Sequence, residues 1–146
     1  PAAFEPHYLS VVQADQVQIY EAVPRDAGGR LTTSLIESVA YAKDNRLLPA
    51  GMDTLRAPEA IQVRGRAAED GDFLAGEDRI QYSFSLGTAE GPFTLGVELL
   101  YQPIGYRWVE NLRGLEGNEV SGFLGLYDTV PNLPVVVARQ TADLGG

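Results

Sequence analysis

The densest group of candidate metal ligands lies in the segment AAEDGDFLAGED, residues 67–78. Calcium takes roughly six to eight oxygen ligands, often several from one loop. Carboxylates this close together repel one another unless they are solvated or bound to a cation. A calcium site and a solvated turn between two strands are therefore the competing interpretations, and the spacing is not that of an EF-hand. The predicted ligands are Asp70, Asp72, Glu77 and Asp78, with Asp44 contributed by an earlier loop.

That earlier loop, KDNRLLPAG at residues 43–51, follows a predicted strand and concentrates charge before an apolar turn. Asp and Asn side chains bond to nearby backbone and open turns, and Arg pairs bidentately with carboxylates. We interpret the loop as a structural corner, in which Leu47 and Leu48 close one end of the core and Pro49 fixes the backbone. A ligand-contacting loop that uses Asn45 and Arg46 is the alternative, and a metal site is a third.

Other catalytic groups are scarce in this sequence. His7 is the one histidine, and its place near a terminus favours an incidental role. Because His7 is expected to be incidental and the chain has no other histidine, we expect neither the usual general base nor a Ser-His-Asp triad. Without cysteine there are no disulfides, no thiolate ligands and no covalent haem attachment in this chain. No carboxylate pair stands apart from the acidic segment, so we predict that the chain is not an enzyme.

Aromatic residues cluster in YQPIGYRW, residues 101–108. On a β-sandwich, Tyr106 and Trp108 could form a platform on which a sugar ring stacks. Packing at the edge of the core, with the polar tips of the rings directed outward, is the competing explanation. These two residues are the predicted ligand or partner contacts in this part of the chain.

Alternating apolar residues dominate the elements that must position these groups. The pattern predicts a hairpin of residues 80–86 with residues 93–102, and an earlier hairpin of residues 15–23 with residues 31–41. Residues 58–68 and 133–140 are predicted as further strands. Six or seven strands joined by hairpins predict an all-β fold, an antiparallel β-sandwich of jelly-roll type.

Residues 105–130 depart from this alternation and predict a short helical insertion. Val120, Phe123, Leu124 and Tyr127 recur at helical spacing, and Asn118 is a plausible N-cap. The preceding segment YRWVENLRG, residues 106–114, is predicted as a second short helix.

Length and charge limit the class of protein. The 146 residues predict one domain spanning residues 1–146. The net charge of −9 argues against nucleic acid as a partner and favours divalent cations or a basic protein. No apolar run approaches the roughly 20 residues that span a bilayer. Because the chain begins at Pro1 without an initiator Met, we expect a C-terminal piece of a longer exported protein.

Several motifs, in order over roughly residues 15 to 140, resemble the C-terminal domain of bacterial multihaem cytochrome c family proteins. In that family a haem-bearing amino-terminal part precedes a β-rich tail. The segments that carry the resemblance are VQIYEAV, TTSLIESVAYAKDNRLLPAGM, GDFLAGEDRIQYSF, GPFTLGVELLYQPIGYRWVENL and YDTVPNLPVVVA.

The resemblance implies a non-catalytic accessory domain of a periplasmic or cell-surface electron-transfer protein. This chain contains no CxxCH motif, so haem is expected only in the upstream part. The implied partner is the haem-bearing domain of the parent protein or another redox protein, with a second copy of the chain as an alternative. A calcium-dependent carbohydrate-binding β-sandwich module is the competing functional hypothesis.

Overall fold

The computed structural model describes residues 4–144. The chain divides into two compact units, Pro1–Ser85 and Leu86–Gly146. The first unit contains the acidic segment and the KDNRLLPAG loop. The second unit contains the aromatic cluster and the predicted helices.

Short strands and 3-10 turns build the first unit. β1 (Ser10–Val11) pairs in parallel with β4 (Gln81–Tyr82), and β2 (Ala22–Arg25) pairs in antiparallel fashion with β3 (Ala40–Asp44). The register of the second pair shifts between Val23 and Pro24, where proline offers no N–H to the ladder. Two 3-10 helices, Glu59–Ile61 and Gly65–Glu69, lie between β3 and β4.

The interior of the first unit is polar as well as apolar. Its buried apolar residues are few and mostly small, with Phe73 the largest. Beside them the structure buries His7, Lys43, Asp44 and Asn45. Buried polar groups require hydrogen-bond partners, so much of this interior is organised by hydrogen bonds.

The second unit has the order strand, helix, helix, strand. β5 (Phe93–Tyr101) pairs in antiparallel fashion with β6 (Val135–Leu144), and α1 (Tyr106–Arg113) and α2 (Asn118–Thr129) connect them. Arg113 joins the two helices, because its guanidinium donates to both carboxylate oxygens of Asp128 at 2.6 and 3.2 Å. Val109 of α1 is buried.

From Phe93 to Leu99, before its register shift, the β5–β6 ribbon has one apolar and one polar face. Residues directly opposite each other in an antiparallel pair share a face. The polar face carries the Glu98–Arg139 ion pair and a hydrogen bond from Thr94 to Asp143. We call the other side the apolar ribbon face; it consists of Phe93, Leu95, Val97 and Leu99 opposite Leu144, Ala142, Gln140 and Ala138.

The predicted β-sandwich is wrong. Within residues 4–144 the strands form three separate two-stranded sheets, and helices and turns complete a mixed fold. Residues 93–101 are a strand as predicted, but they pair with residues 135–144 and not with residues 80–86. Alternation assigns faces within a strand without naming its partner, so it could not distinguish these pairings.

Residues 58–68 also depart from the prediction, because they form the two 3-10 helices and not a strand. The two predicted helices between residues 105 and 130 are confirmed. In the part of the chain that the structure describes, neither helix has the length and apolar character needed to cross a membrane.

Candidate functional site: a buried polar cluster

His7 lies at the centre of the buried polar cluster of the first unit. Its Nε2 atom is 2.9 Å from Oδ2 of Asp70, and both side chains are almost completely buried. The ring of Phe73 meets the imidazole edge to face, with centroids 5.1 Å apart. The segment before β1 and the segment after the second 3-10 helix are thereby joined across 63 residues of sequence.

Asn45, which is fully buried, orients one side of this histidine. Its Oδ1 accepts the backbone N–H of Glu21 at 2.9 Å, and its Nδ2 donates to the carbonyl of Ile19 at 3.0 Å. These two bonds determine which end of the amide is the donor. The Nδ2 group lies 3.1 Å from Nδ1 of His7, so Nδ1 must act as the acceptor.

Gln18 imposes the same tautomer from a second direction. Its Oε1 accepts the backbone N–H of Tyr8 at 2.8 Å, and its Nε2 lies 2.9 Å from Nδ1 of His7. Two amide donors therefore converge on Nδ1. The ring proton must reside on Nε2, where it is donated to Asp70.

Two further carboxylates lie close to this pair. A ligand atom of Asp78 lies within 4.8 Å of ligand atoms of His7 and Asp70. Oδ2 of Asp78 accepts the hydroxyl of Tyr20 at 2.6 Å, and Oδ1 of Asp70 accepts the backbone N–H of Asp72 at 3.0 Å.

The remaining oxygens of this group are distinctive. Oδ1 of Asp72 and Oδ1 of Asp78 are fully buried, and neither has a hydrogen-bond partner among residues 4–144. Buried acceptors of this kind are uncommon in folded proteins. Each of these two carboxylates thus directs one unsatisfied oxygen inward.

Burial and charge separate the pKa values of the two neighbouring carboxyls. Burial raises the pKa of Asp70, but the backbone N–H of Asp72 and the ring N–H of His7 outweigh it, so that pKa is lowered overall. Burial raises the pKa of Asp72 most, followed by the negative charge of Asp70 and a hydrogen bond with the Asp70 carboxyl; Arg79 lowers this pKa and Asp78 raises it, both to a smaller extent. Negative charge is therefore costly at Asp72.

Of the five predicted metal ligands, the structure groups Asp70 and Asp78, whose ligand atoms lie within 4.8 Å of each other and of one in His7. Asp72 is linked to Asp70 through its backbone N–H. Glu77 is exposed, and its backbone closes a tight turn with Leu74. Asp44 is occupied by Arg46, whose guanidinium donates to its two oxygens at 2.9 and 2.6 Å.

The interpretation of KDNRLLPAG as an apolar plug is wrong, because its polar residues are the buried ones. Lys43 is 2% exposed, whereas Leu47 is 51% exposed. The Nζ atom of Lys43 donates to the carbonyls of Glu5 and Ile19 at 2.8 and 2.7 Å. The loop connects neighbouring segments through hydrogen bonds to backbone groups that have no sheet partner there. Of the two predicted ligand contacts in this loop, Asn45 therefore bonds to backbone groups and Arg46 forms an ion pair with Asp44.

Tyr106 and Trp108 lie on α1 in the second unit. They are two positions apart, which places their side chains on nearly opposite sides of a helix with about 3.6 residues per turn. Tyr106 is 73% exposed, and Trp108 is partly exposed. The two rings therefore do not form one stacking platform.

His7, Gln18 and Tyr20 are the members of the cluster that the sequence did not indicate. The incidental role expected for His7 does not agree with its burial. Its partners lie 11, 38 and 63 positions away, so no local pattern marks it. The sequence offered one clue, that His7 is the single histidine near a terminus, and this favoured an incidental role for it.

No family model, curated protein or solved structure matches this chain.

Proposed function

We propose that this chain is a non-catalytic interaction domain that accompanies the haem-bearing part of an exported bacterial multihaem cytochrome. The single observation that carries the interaction role is the exposed apolar ribbon face of β5 and β6. The ordered motifs described above support the cytochrome context. The chain itself lacks cysteine and so supplies no covalent haem attachment.

The ribbon carries an apolar surface that a partner would cover. Val97 is 49% exposed and Leu99 38% exposed. A two-stranded ribbon is at best marginally stable in water unless something packs against it. Contiguous exposed apolar surface commonly marks a protein–protein contact. Within residues 4–144, β5 and β6 pair only with each other, so each also has an outer edge for a further strand.

Charge favours a basic surface on the partner. The chain carries a net charge of −9, and complementary potentials accelerate and orient association. The haem-bearing part of the parent protein is the proposed occupant, and a second copy of this chain, with the same negative charge, is the less favoured one. This assignment places the domain in the periplasm or at the cell surface.

The geometry of the polar cluster supports a non-catalytic role. Both ring nitrogens of His7 are engaged by buried side chains. A cavity of about 580 Å³ in the first unit is lined by other residues, among them Tyr41, Glu59 and Arg64. The imidazole is therefore held by its buried neighbours, which favours a structural role for the cluster.

The cytochrome context is tested on the full-length parent protein. The gene that encodes this chain is expressed with its own export signals, and the purified product is examined by visible absorbance. The reduced spectrum is expected to show c-type haem bands. A colourless, fully folded product would refute this part of the proposal.

The interaction role is tested with the haem-bearing part and this chain purified separately. The double substitution Val97→Ser and Leu99→Ser is expected to weaken their association by at least tenfold, because truncating central apolar contacts costs about 1–2 kcal/mol or more. Calorimetric titration measures the dissociation constant.

Thr141→Ser on the polar face is the matched control, and it is expected to leave the dissociation constant unchanged. Circular dichroism confirms that both variants are folded. Equal affinities for the wild-type chain and the apolar-face variant would rule out the ribbon as the docking surface.

A further inference from the structure

A small cleft lies beside the C-terminal end of α2 in the second unit. Its volume is about 190 Å³. Its walls come from α2, from the segment that follows α2 and from the turn before α1, and they include Ile104, Phe123, Leu126, Tyr127, Val130 and Asn132. Leu126 and Val130 are 63% and 54% exposed, so this wall is accessible from solvent. The cleft is separate from the apolar ribbon face of β5 and β6.

Two polar side chains lie among the apolar ones that line the cleft. The Nδ2 group of Asn132 donates to the carbonyl of Ile104 at 2.9 Å and to the hydroxyl oxygen of Tyr127 at 3.0 Å. Both amide protons of Asn132 are thereby used, and the orientation of its amide is determined. Within residues 4–144, Oδ1 of Asn132 has no donor and the hydroxyl proton of Tyr127 has no acceptor. One acceptor and one donor are therefore adjacent and available.

We propose that this cleft binds a small phenol, which is a single aromatic ring carrying one hydroxyl group. An apolar cavity of about 150 Å³ accepts one benzene molecule, so the volume of this cleft suits one ring with a small substituent. The hydroxyl group of the ligand accepts from Tyr127 and donates to Oδ1 of Asn132. The rings of Phe123 and Tyr127, with centroids 5.9 Å apart, supply aromatic surface for the ring of the ligand.

The chemistry of the lining disfavours other classes of small ligand. No charged side chain of the described residues lines the cleft, so an ionised ligand would lose its hydration without compensation. A phenol keeps its proton at pH 7, because its pKa is about 10. An apolar ring without a hydroxyl group would cover the polar atoms of Tyr127 and Asn132 and leave them unpaired, which is unfavourable.

The site is tested by titrating the complete chain with p-cresol and with toluene, which differ only in the hydroxyl group. Backbone amide nitrogen-15 NMR follows the binding. Shifts are expected around Phe123, Tyr127 and Asn132 and not in residues 4–85, and p-cresol is expected to bind at least fivefold more tightly than toluene. Equal affinity for the two compounds, shifts spread over both units or no binding of p-cresol would overturn the proposal.

Tyr127→Phe removes the hydroxyl group and retains the ring. This variant is expected to bind p-cresol at least fivefold more weakly and to bind toluene as the wild type does. Tyr106→Phe is the matched control, the same change at a tyrosine that is 73% exposed on α1, and it is expected to leave both affinities unchanged. Unchanged binding of p-cresol by a folded Tyr127→Phe variant would contradict the assigned role of Tyr127. If circular dichroism shows that this variant is unfolded, the wild-type comparison of p-cresol with toluene decides.

A tyrosine side chain of a partner protein presents the same ring as a free phenol, and N-acetyltyrosinamide distinguishes the two sources. We commit to the free phenol, because the volume of the cleft suits a ring without an attached peptide. N-acetyltyrosinamide is therefore expected to bind more weakly than p-cresol. Equal or tighter binding would assign the cleft to a partner's tyrosine and overturn the proposal. The docking role of the ribbon is tested by substitutions on β5, so its outcome is independent of these.

Discussion

In the first unit, single buried polar side chains connect separate segments, a role that apolar side chains have in most domains. Lys43 and Asn45 reach from the end of β3 to backbone groups near residues 5, 19 and 21. Those groups lie in segments without a sheet partner. A buried lysine and a buried asparagine thus replace a strand as the source of hydrogen bonds.

Replacing Lys43 by Met tests this role. Methionine retains most of the volume but donates no hydrogen bond, so the carbonyl of Glu5 loses its buried donor. We expect the free energy of unfolding to fall by about 2–4 kcal/mol. Urea unfolding followed by far-UV circular dichroism measures the change.

Arg30→Met is the control for loss of a cation at an exposed position, because Arg30 pairs with Asp26 on the surface. Exposed ion pairs contribute little, so its unfolding midpoint should stay close to that of the wild type. Equal midpoints for all three proteins would show that the hydrogen bonds of Lys43 do not stabilise the unit.

At the scale of elements, the local sequence is enough to predict the helices of the second unit, although α2 contains residues that weaken it. Apolar spacing between Val120 and Tyr127 is enough to predict α2, and the structure places it at Asn118–Thr129. Its N-cap is Gly117, not the expected Asn118. Two glycines in the helix interior, Gly122 and Gly125, weaken it relative to alanine.

Alanine at both positions is therefore predicted to stabilise α2. Apart from the neighbouring residues and backbone of its own helix, a Cβ atom at Gly122 or Gly125 would meet no atom within 4 Å. We expect each substitution to raise the free energy of unfolding by about 1 kcal/mol, as measured by urea unfolding.

Gly117→Ala provides the opposite control. Gly117 has φ of 156°, a backbone conformation that L side chains rarely adopt. This variant should be less stable than the wild type. If the Gly122 and Gly125 variants also lost stability, these two positions would have to be covered by another surface, and the prediction would be wrong.

At the scale of the whole molecule, negative charge opposes contact through exposed apolar surface. The sequence has a net charge of −9 and a pI of about 4.5. Repulsion between copies keeps a protein dispersed, and it vanishes near the pI. The apolar ribbon face then becomes the dominant attraction between copies.

We therefore expect the isolated chain to self-associate as the pH falls from 7 toward 4.5 at low ionic strength. Analytical ultracentrifugation should show a rising sedimentation coefficient for the wild type. The Val97→Ser and Leu99→Ser variant should associate less at each pH, whereas Thr141→Ser should match the wild type. Identical sedimentation of all three proteins would show that self-association uses a surface other than the apolar ribbon face.

Local patterns were sufficient for some features of this protein. The alternation from Phe93 to Tyr101 indicates a strand with one apolar face, and helical spacing indicates α1 and α2. The density of acidic residues indicates the segment of residues 67–78, but it does not distinguish Asp70 and Asp78 from Glu77. Each of these signals depends on residues within a few positions of one another, where the backbone period alone relates side chains.

Tertiary structure alone decided which segments meet. The choice of β6 as the partner of β5, the burial of Lys43 and Asn45, and the position of His7 all depend on contacts between residues far apart in the chain. Many alternative pairings of segments are compatible with the same local pattern of apolar residues, and the native contacts result from the competition among these pairings. For that reason the sequence by itself determined strand faces, helices and the acidic segment, and the fold decided the sheet pairing and the tautomer of the buried histidine.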